Sequence, residues 1–266
     1  MKRFLLIFIT ALIFFHYKSS GQTALLKKTW IGQQLQYLKI ADSTALLEHE
    51  MIFDECHYKL SGKKLTLTVY YWTTSDTLRH EDNYPFEISK LTKDTLIIKP
   101  LSETSKQEIN DKDFLLLIDS SEINDTKFNF EKLLFSATAC YGSCPRMKLE
   151  IDSSGKIFFL GDAYTGKYRG LYEGQLKPPD LLRLKNILQH SWLDNFPDTL
   201  GHGMVDDAPI YNFIFYYNGK KKVSRGYDVP YFNYDLLAFL LDSYKRANLK
   251  KDNQTHNFEN LSWVVQ

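Results

Sequence analysis

The chain has 266 residues, of which 44% are hydrophobic, 15% aromatic and 24% charged, with a formal net charge of +1. That length suits one large or two ordinary domains. The near-neutral balance supplies no electrostatic footprint for nucleic acid, and no nucleophile elbow, zincin helix, Walker loop or dinucleotide fingerprint is present.

The first residues read as an export signal. Lys2 and Arg3 form a charged start, Phe4 to Phe15 an apolar stretch, and Ser19-Ser20-Gly21 a small-residue cleavage site before Gln22. The stretch falls short of the ~20 apolar residues that span a bilayer comfortably. Loss of 1–21 takes Lys2, Arg3 and Lys18 and leaves a net charge of −2. The expectation is an exported protein, periplasmic, attached to the outer envelope or secreted, without a membrane span once the signal is removed.

Residues 22–125 read as strands. Ser43 to Met51 is the one helical stretch expected there. Cys56, Tyr58 and Leu60 alternate with polar neighbours, and so do Leu65, Leu67, Val69 and Tyr71, the two runs joined by a turn at Ser61-Gly62-Lys63-Lys64. Phe86 and Ile88 open another strand, Thr95 to Leu101 and Leu115 to Ile118 two more. Hairpins in succession must hide their edges, which favours a small antiparallel barrel. Ser102 to Asp113 and Ser120 to Asn129 read as loop and linker. The stretch around Trp30, Tyr58 to Leu67 and Phe86 to Leu96 resembles small lipocalin-like domains of secreted bacterial proteins. Thr29 departs from that pattern, which has Gly before the Trp. The resemblance covers most of 25–101 and implies a barrel, not a ligand.

Residues 126–249 read as an α+β domain of hairpins with two helices. Leu133 to Thr138 leads into Cys140-Tyr141-Gly142-Ser143-Cys144-Pro145. Met147, Leu149 and Ile151 then alternate with Lys148, Glu150 and Asp152. A turn at Ser153-Ser154-Gly155 gives a hairpin, and Tyr168 to Leu176 a third strand. Pro178-Pro179-Asp180 starts a helix with Leu181, Leu184, Ile187 and Leu188 on one face. Asn218-Gly219 joins two strands, Ile210 to Tyr217 and Lys221 to Tyr227, and Phe232 to Lys245 is a last amphipathic helix. Residues 250–266 read as a polar tail. The fold class is therefore α+β overall, a barrel-like domain followed by an α+β one.

The cysteine loop admits competing readings. In an exported protein close thiols tend to oxidise, and a turn at Tyr141-Gly142 brings Cα atoms to the ~5.5 Å that a disulfide needs, with Gly142 easing the turn. A structural staple between two strands follows. The rival is a thiol-redox or copper-handling site, since C-x3-C-P resembles the motif of exported copper-delivery proteins. There the second Cys-Pro opens a helix that lowers a thiol pKa; here the pattern after Pro145 is that of a strand. His202 and Met204 could complete a soft copper site, or belong to a flexible Gly-rich loop. Asp206 and Asp207 could bind a cation, or cap loop amides. Cys56 falls on an inward strand position, where a buried thiol is inert.

From Phe135 to about Ala247 the order of motifs resembles a bacterial family of exported domains without an established activity: the C-x3-C-P loop, Gly155, the helix after Pro178-Pro179, Asp207-Ala208-Pro209, and Tyr227. The resemblance implies a fold and no reaction. The reading is a non-catalytic binding or interaction module at the cell envelope, taking a small apolar ligand or an envelope protein, with no cofactor, metal or catalytic residue. Its candidate binding residues are Tyr141, Gly142, His202, Asp206 and Asp207.

Overall fold

The computed structural model describes residues 21–47, 55–74, 78–201, 205–259 and 261. It divides into two compact units, one ending at Glu122 and the other starting at Ile123. Residues 1–20 of the expected signal segment, His202 and Met204 lie outside the described residues.

The first unit is a closed eight-stranded antiparallel meander. Its strands are β1 (Thr29–Gly32), β2 (Tyr37–Ile40), β3 (Thr44–Leu47), β4 (Glu55–Ser61), β5 (Lys64–Trp72), β6 (Arg79–Leu91), β7 (Thr95–Pro100) and β8 (Leu115–Asp119). Closure comes from β1 pairing with β8, Trp30 opposite Asp119 and Ile31 opposite Ile118. Period-two alternation sends Leu65, Leu67, Phe86, Ile88, Leu96, Ile98 and Leu117 into one cluster around Trp30. Trp30 is fully buried, and its indole N–H donates to the Leu26 carbonyl at 2.9 Å. Side chains thus occupy the interior, as an eight-stranded barrel of this kind allows. Near the closing strand Lys28 Nζ sits 2.6 Å from Asp119 Oδ2. Burial opposes the charge on Asp119, but the Lys28 ammonium and Ser121 donors override it and hold the carboxyl below its ordinary range.

Two expectations fail in this unit. The Ala-Leu-Leu-Glu run expected to be helical is β3 over Thr44–Leu47, pairing with both β2 and β4; residues 48–51 of that stretch lie outside the described set. Helix propensity is a weak preference, and the backbone bonds that complete the barrel override it. The stretch after β7 is not all loop: helix α1 (Glu103–Gln107) forms, with Ser102 Oγ accepting from the Ser105 N–H at 3.1 Å. Cys56 is buried as expected, and its thiol donates to the Ala45 carbonyl at 3.0 Å.

The second unit is one eight-stranded sheet ordered β13-β15-β14-β9-β10-β11-β12-β16. Its strands are β9 (Phe130–Ala137), β10 (Arg146–Asp152), β11 (Lys156–Ala163), β12 (Gly170–Leu176), β13 (Thr199–Leu200), β14 (Tyr211–Tyr217), β15 (Lys220–Gly226) and β16 (Ala247–Lys251). The β13–β15 pair is parallel and the others antiparallel. Helices α2 (Pro178–Gln189) and α3 (Tyr234–Arg246) bury Leu184, Leu188, Leu236, Phe239 and Leu240. Tyr244 of α3 stacks on Phe159 of β11 at 4.4 Å between centroids, which places α3 on that face of the sheet. Sheet dominates the molecule, so α+β holds only in a broad sense.

The segment read as a polar tail departs most from expectation. Lys250 and Lys251 belong to β16, which pairs with β12 through five residues, Ala247 to Lys251. Beyond it, Phe258 and Leu261 are buried against Leu134 and Ile214, on the opposite face of the strands from Leu133 and Phe135. His256 stacks on Phe158 at 3.8 Å, with Nε2 3.1 Å from Glu150 Oε2. Three apolar or aromatic anchors among polar residues suffice to seat this strap, so composition alone misreads it.

Candidate functional site

The candidate site is the loop between β9 and β10 together with the segment that leads into β14. β9 and β14 are neighbours, Ala137 opposite Tyr211, so the two chains leave the sheet side by side. Past the ladder the pairing continues irregularly: the Thr138 N–H donates to the Ile210 carbonyl at 3.0 Å, and the Ile210 N–H to Thr138 Oγ1 at 2.8 Å. The Tyr141 N–H then reaches the Asp207 carbonyl at 3.1 Å. Asp207 adopts a left-handed conformation, φ 70°, which short polar side chains tolerate better than most.

Cys140 and Cys144 meet at disulfide distance, with Cα atoms 5.6 Å apart, inside the geometry a disulfide requires. The Gly142 N–H donates to the Cys140 carbonyl at 2.8 Å, tightening the turn. Gly142 is not among the left-handed glycines, and a β-carbon there would meet nothing closer than Cys140 Sγ at 3.8 Å. The turn therefore does not depend on glycine. Pro145 is followed at once by β10, whose residues from Met147 to Asp152 pair with β9. Among the described residues no helix begins after Pro145 to face the sulfurs.

The loop leaves Tyr141 86% exposed, the most exposed of the molecule's described large hydrophobic side chains. Asp206 and Asp207 are exposed beside it. They sit in a turn rather than a strand, and it is the backbone carbonyl of Asp207 that holds the cysteine loop. Behind the loop, burial and then the Arg146 guanidinium hold the Lys148 ammonium below its ordinary range. Arg146 is itself 3.1 Å from Asp162 Oδ2. Burial also pushes the Tyr211 phenol up. Among the described residues no group of three or more His, Cys, Asp and Glu side chains could hold a metal ion.

The structure thus brings Cys140, Tyr141, Gly142, Cys144 and Asp207 into one braced loop, with Asp206 adjacent. The brace itself, Thr138 and Ile210, is not singled out by the sequence reading. The signal available for it is the paired position of two loops on neighbouring strands, which needs the sheet order.

Residues 131–258 match the model of a family described as a domain of unknown function (DUF6438). The match runs from β9 through the strap to Phe258 and takes in the C-x3-C-P loop. No curated protein and no solved structure matches the chain.

Proposed function

We propose that the protein is an exported, non-catalytic interaction module whose second unit presents Tyr141 to a protein partner at the cell envelope. One observation carries the reading: the most exposed of the described large hydrophobic side chains stands on a loop closed by Cys140–Cys144 and tied by its own backbone N–H to Asp207. An aromatic side chain has two side-chain torsions to freeze, and a loop already fixed loses little further entropy on binding. Such residues are the ones that dominate binding energy at protein interfaces. Export rests on the N-terminal segment, and it supplies the oxidising surroundings in which the staple persists.

A small apolar ligand inside the barrel is the lesser reading, because Trp30 and its neighbours fill that interior. A thiol-redox or copper role has less support still, since β10 stands where such motifs place a helix.

The test places a photoactivatable benzoylphenylalanine at Ser143, an exposed loop position that leaves Tyr141 in place, in cells that export the protein. The expected result is one discrete adduct, lost in Tyr141→Ala and not produced from the same group at Tyr164, which is 62% exposed in another loop of the same unit. Equal labelling from both positions, or none from Ser143, overturns the proposal.

A further inference from the structure

A second surface, independent of the Tyr141 loop, lies on the β5–β6 hairpin. β5 has nine residues and β6 thirteen, against seven in β4 and six in β7. Pairing with β4 ends at His57 opposite Thr68, and pairing with β7 ends at Phe86 opposite Pro100. Past those points the described residues of β5 and β6 pair with each other, from Val69 opposite Asp82 to Trp72 opposite Arg79. Val69 and Tyr84 still belong to the barrel core, whereas Tyr71, which continues the inward alternation of Leu67 and Val69, is 38% exposed.

The outer face of this ribbon has an ordered composition. Thr68, Tyr70 and Trp72 alternate outward on β5, directly opposite Asn83, Glu81 and Arg79 on β6. Trp72 is 68% exposed, and a spacing of two residues sets its Cβ about 7 Å from that of Tyr70. The polar groups are already oriented. Thr68 Oγ1 donates to Asn83 Oδ1 at 2.7 Å, and Asn83 Nδ2 to Glu81 Oε1 at 3.2 Å. The Arg79 guanidinium lies 3.6 Å from the Tyr70 ring centroid, a contact that uses none of its N–H donors. His57 meets the same ring edge-on at 5.5 Å.

An exposed aromatic strip on these strands costs solvation without building a core, and such patches mark binding surfaces. Its charges choose the occupant. Arg79 and Glu81 cancel, Thr68 and Asn83 are neutral, and donors interleave with acceptors along the strip. That balance gives no purchase to an anionic polymer, and the Glu81 carboxylate beside the rings makes burial in a lipid surface costly. A neutral sugar has the matching surface: a face of C–H groups for the rings and a rim of hydroxyls that both donate and accept. We propose that Trp72, Tyr70, Arg79, Glu81 and Asn83 form a platform for a neutral polysaccharide chain lying along β5.

The experiment titrates the full chain with β-1,4-linked hexaoses of glucose and of N-acetylglucosamine, read by calorimetry and tryptophan emission. A heparin fragment and phosphatidylglycerol vesicles serve as competitors. At least one hexaose binds and shifts the emission. Trp72→Ala weakens that binding by about tenfold or more, Trp72→Phe keeps it within about threefold, and both variants melt with the parent. Tyr141→Ala leaves sugar binding unchanged, which separates this surface from the protein-binding loop. Absence of binding by both hexaoses at millimolar concentration, preferential binding of heparin or vesicles, or parental affinity in Trp72→Ala overturns the proposal.

Discussion

At the scale of single residues, the Cys140–Cys144 bond does more for position than for stability. Closing so short a loop restricts the unfolded chain by only about 2 kcal/mol. The paired change Cys140→Ser with Cys144→Ser is expected to cost no more than that in urea unfolding. A loss several times larger would assign the bond a core role. Gly142→Ala should be nearly neutral, because no left-handed conformation is demanded and the nearest atom to the added carbon is at ordinary contact distance. Asp119 has the opposite character, a side chain 10% exposed whose charge is held by Lys28. Its folded-state pKa is lowered, so its contribution is complete above the unfolded value near ~4 and is lost as pH falls through the folded value. Asp119→Asn should therefore destabilise by about 1–2 kcal/mol at neutral pH, and the gap to the parent should close as pH falls through the lowered folded value. A gap independent of pH would show that the carboxylate charge is not what matters.

At the scale of elements, the strap after β16 is the least legible part of the chain. Lys250 to Asn260 reads as solvated because its polar residues outnumber His256 and Phe258, but those two dock on Phe158, Leu134 and Ile214. Phe258→Ala is expected to cost about 3 kcal/mol, measured by chemical unfolding, whereas a solvated tail would lose almost nothing. β3 and α1 fail for the same kind of reason. Ala45 and Leu47 satisfy a helical pattern as well as an alternating one over so few residues, and only the neighbours β2 and β4 decide between them. By contrast, the long alternations of β5 and β10 and the proline-led start of α2 are local signals, and they read correctly. The Asn218-Gly219 turn reads equally well, since both residues adopt the positive φ that such a hairpin requires.

At the scale of the molecule, the hydrophobic period stays near two from β1 through β12 and turns helical at α2 and α3, so the period itself does not mark the division between Glu122 and Ile123. Closure of the first unit was legible in outline, since successive hairpins without a covering helix must hide their edges. The partner of β1 was not, because Trp30 and Asp119 are far apart in the chain and meet only on closure. The site behaves likewise. The staple could be read from C-x3-C and the strand after Pro145, while the tie from Tyr141 to Asp207 depends on β9 and β14 being neighbours.

On the proposed function, the staple exists to present Tyr141. Adduct yield from benzoylphenylalanine at Ser143 tests it when compared between the parent and the variant with both cysteines replaced by serine, at equal exported amounts. The expected yield falls by about tenfold once the loop is opened, the equivalent of roughly 1.4 kcal/mol of lost preorganisation, while the protein stays folded. An undiminished yield from the opened loop would contradict it.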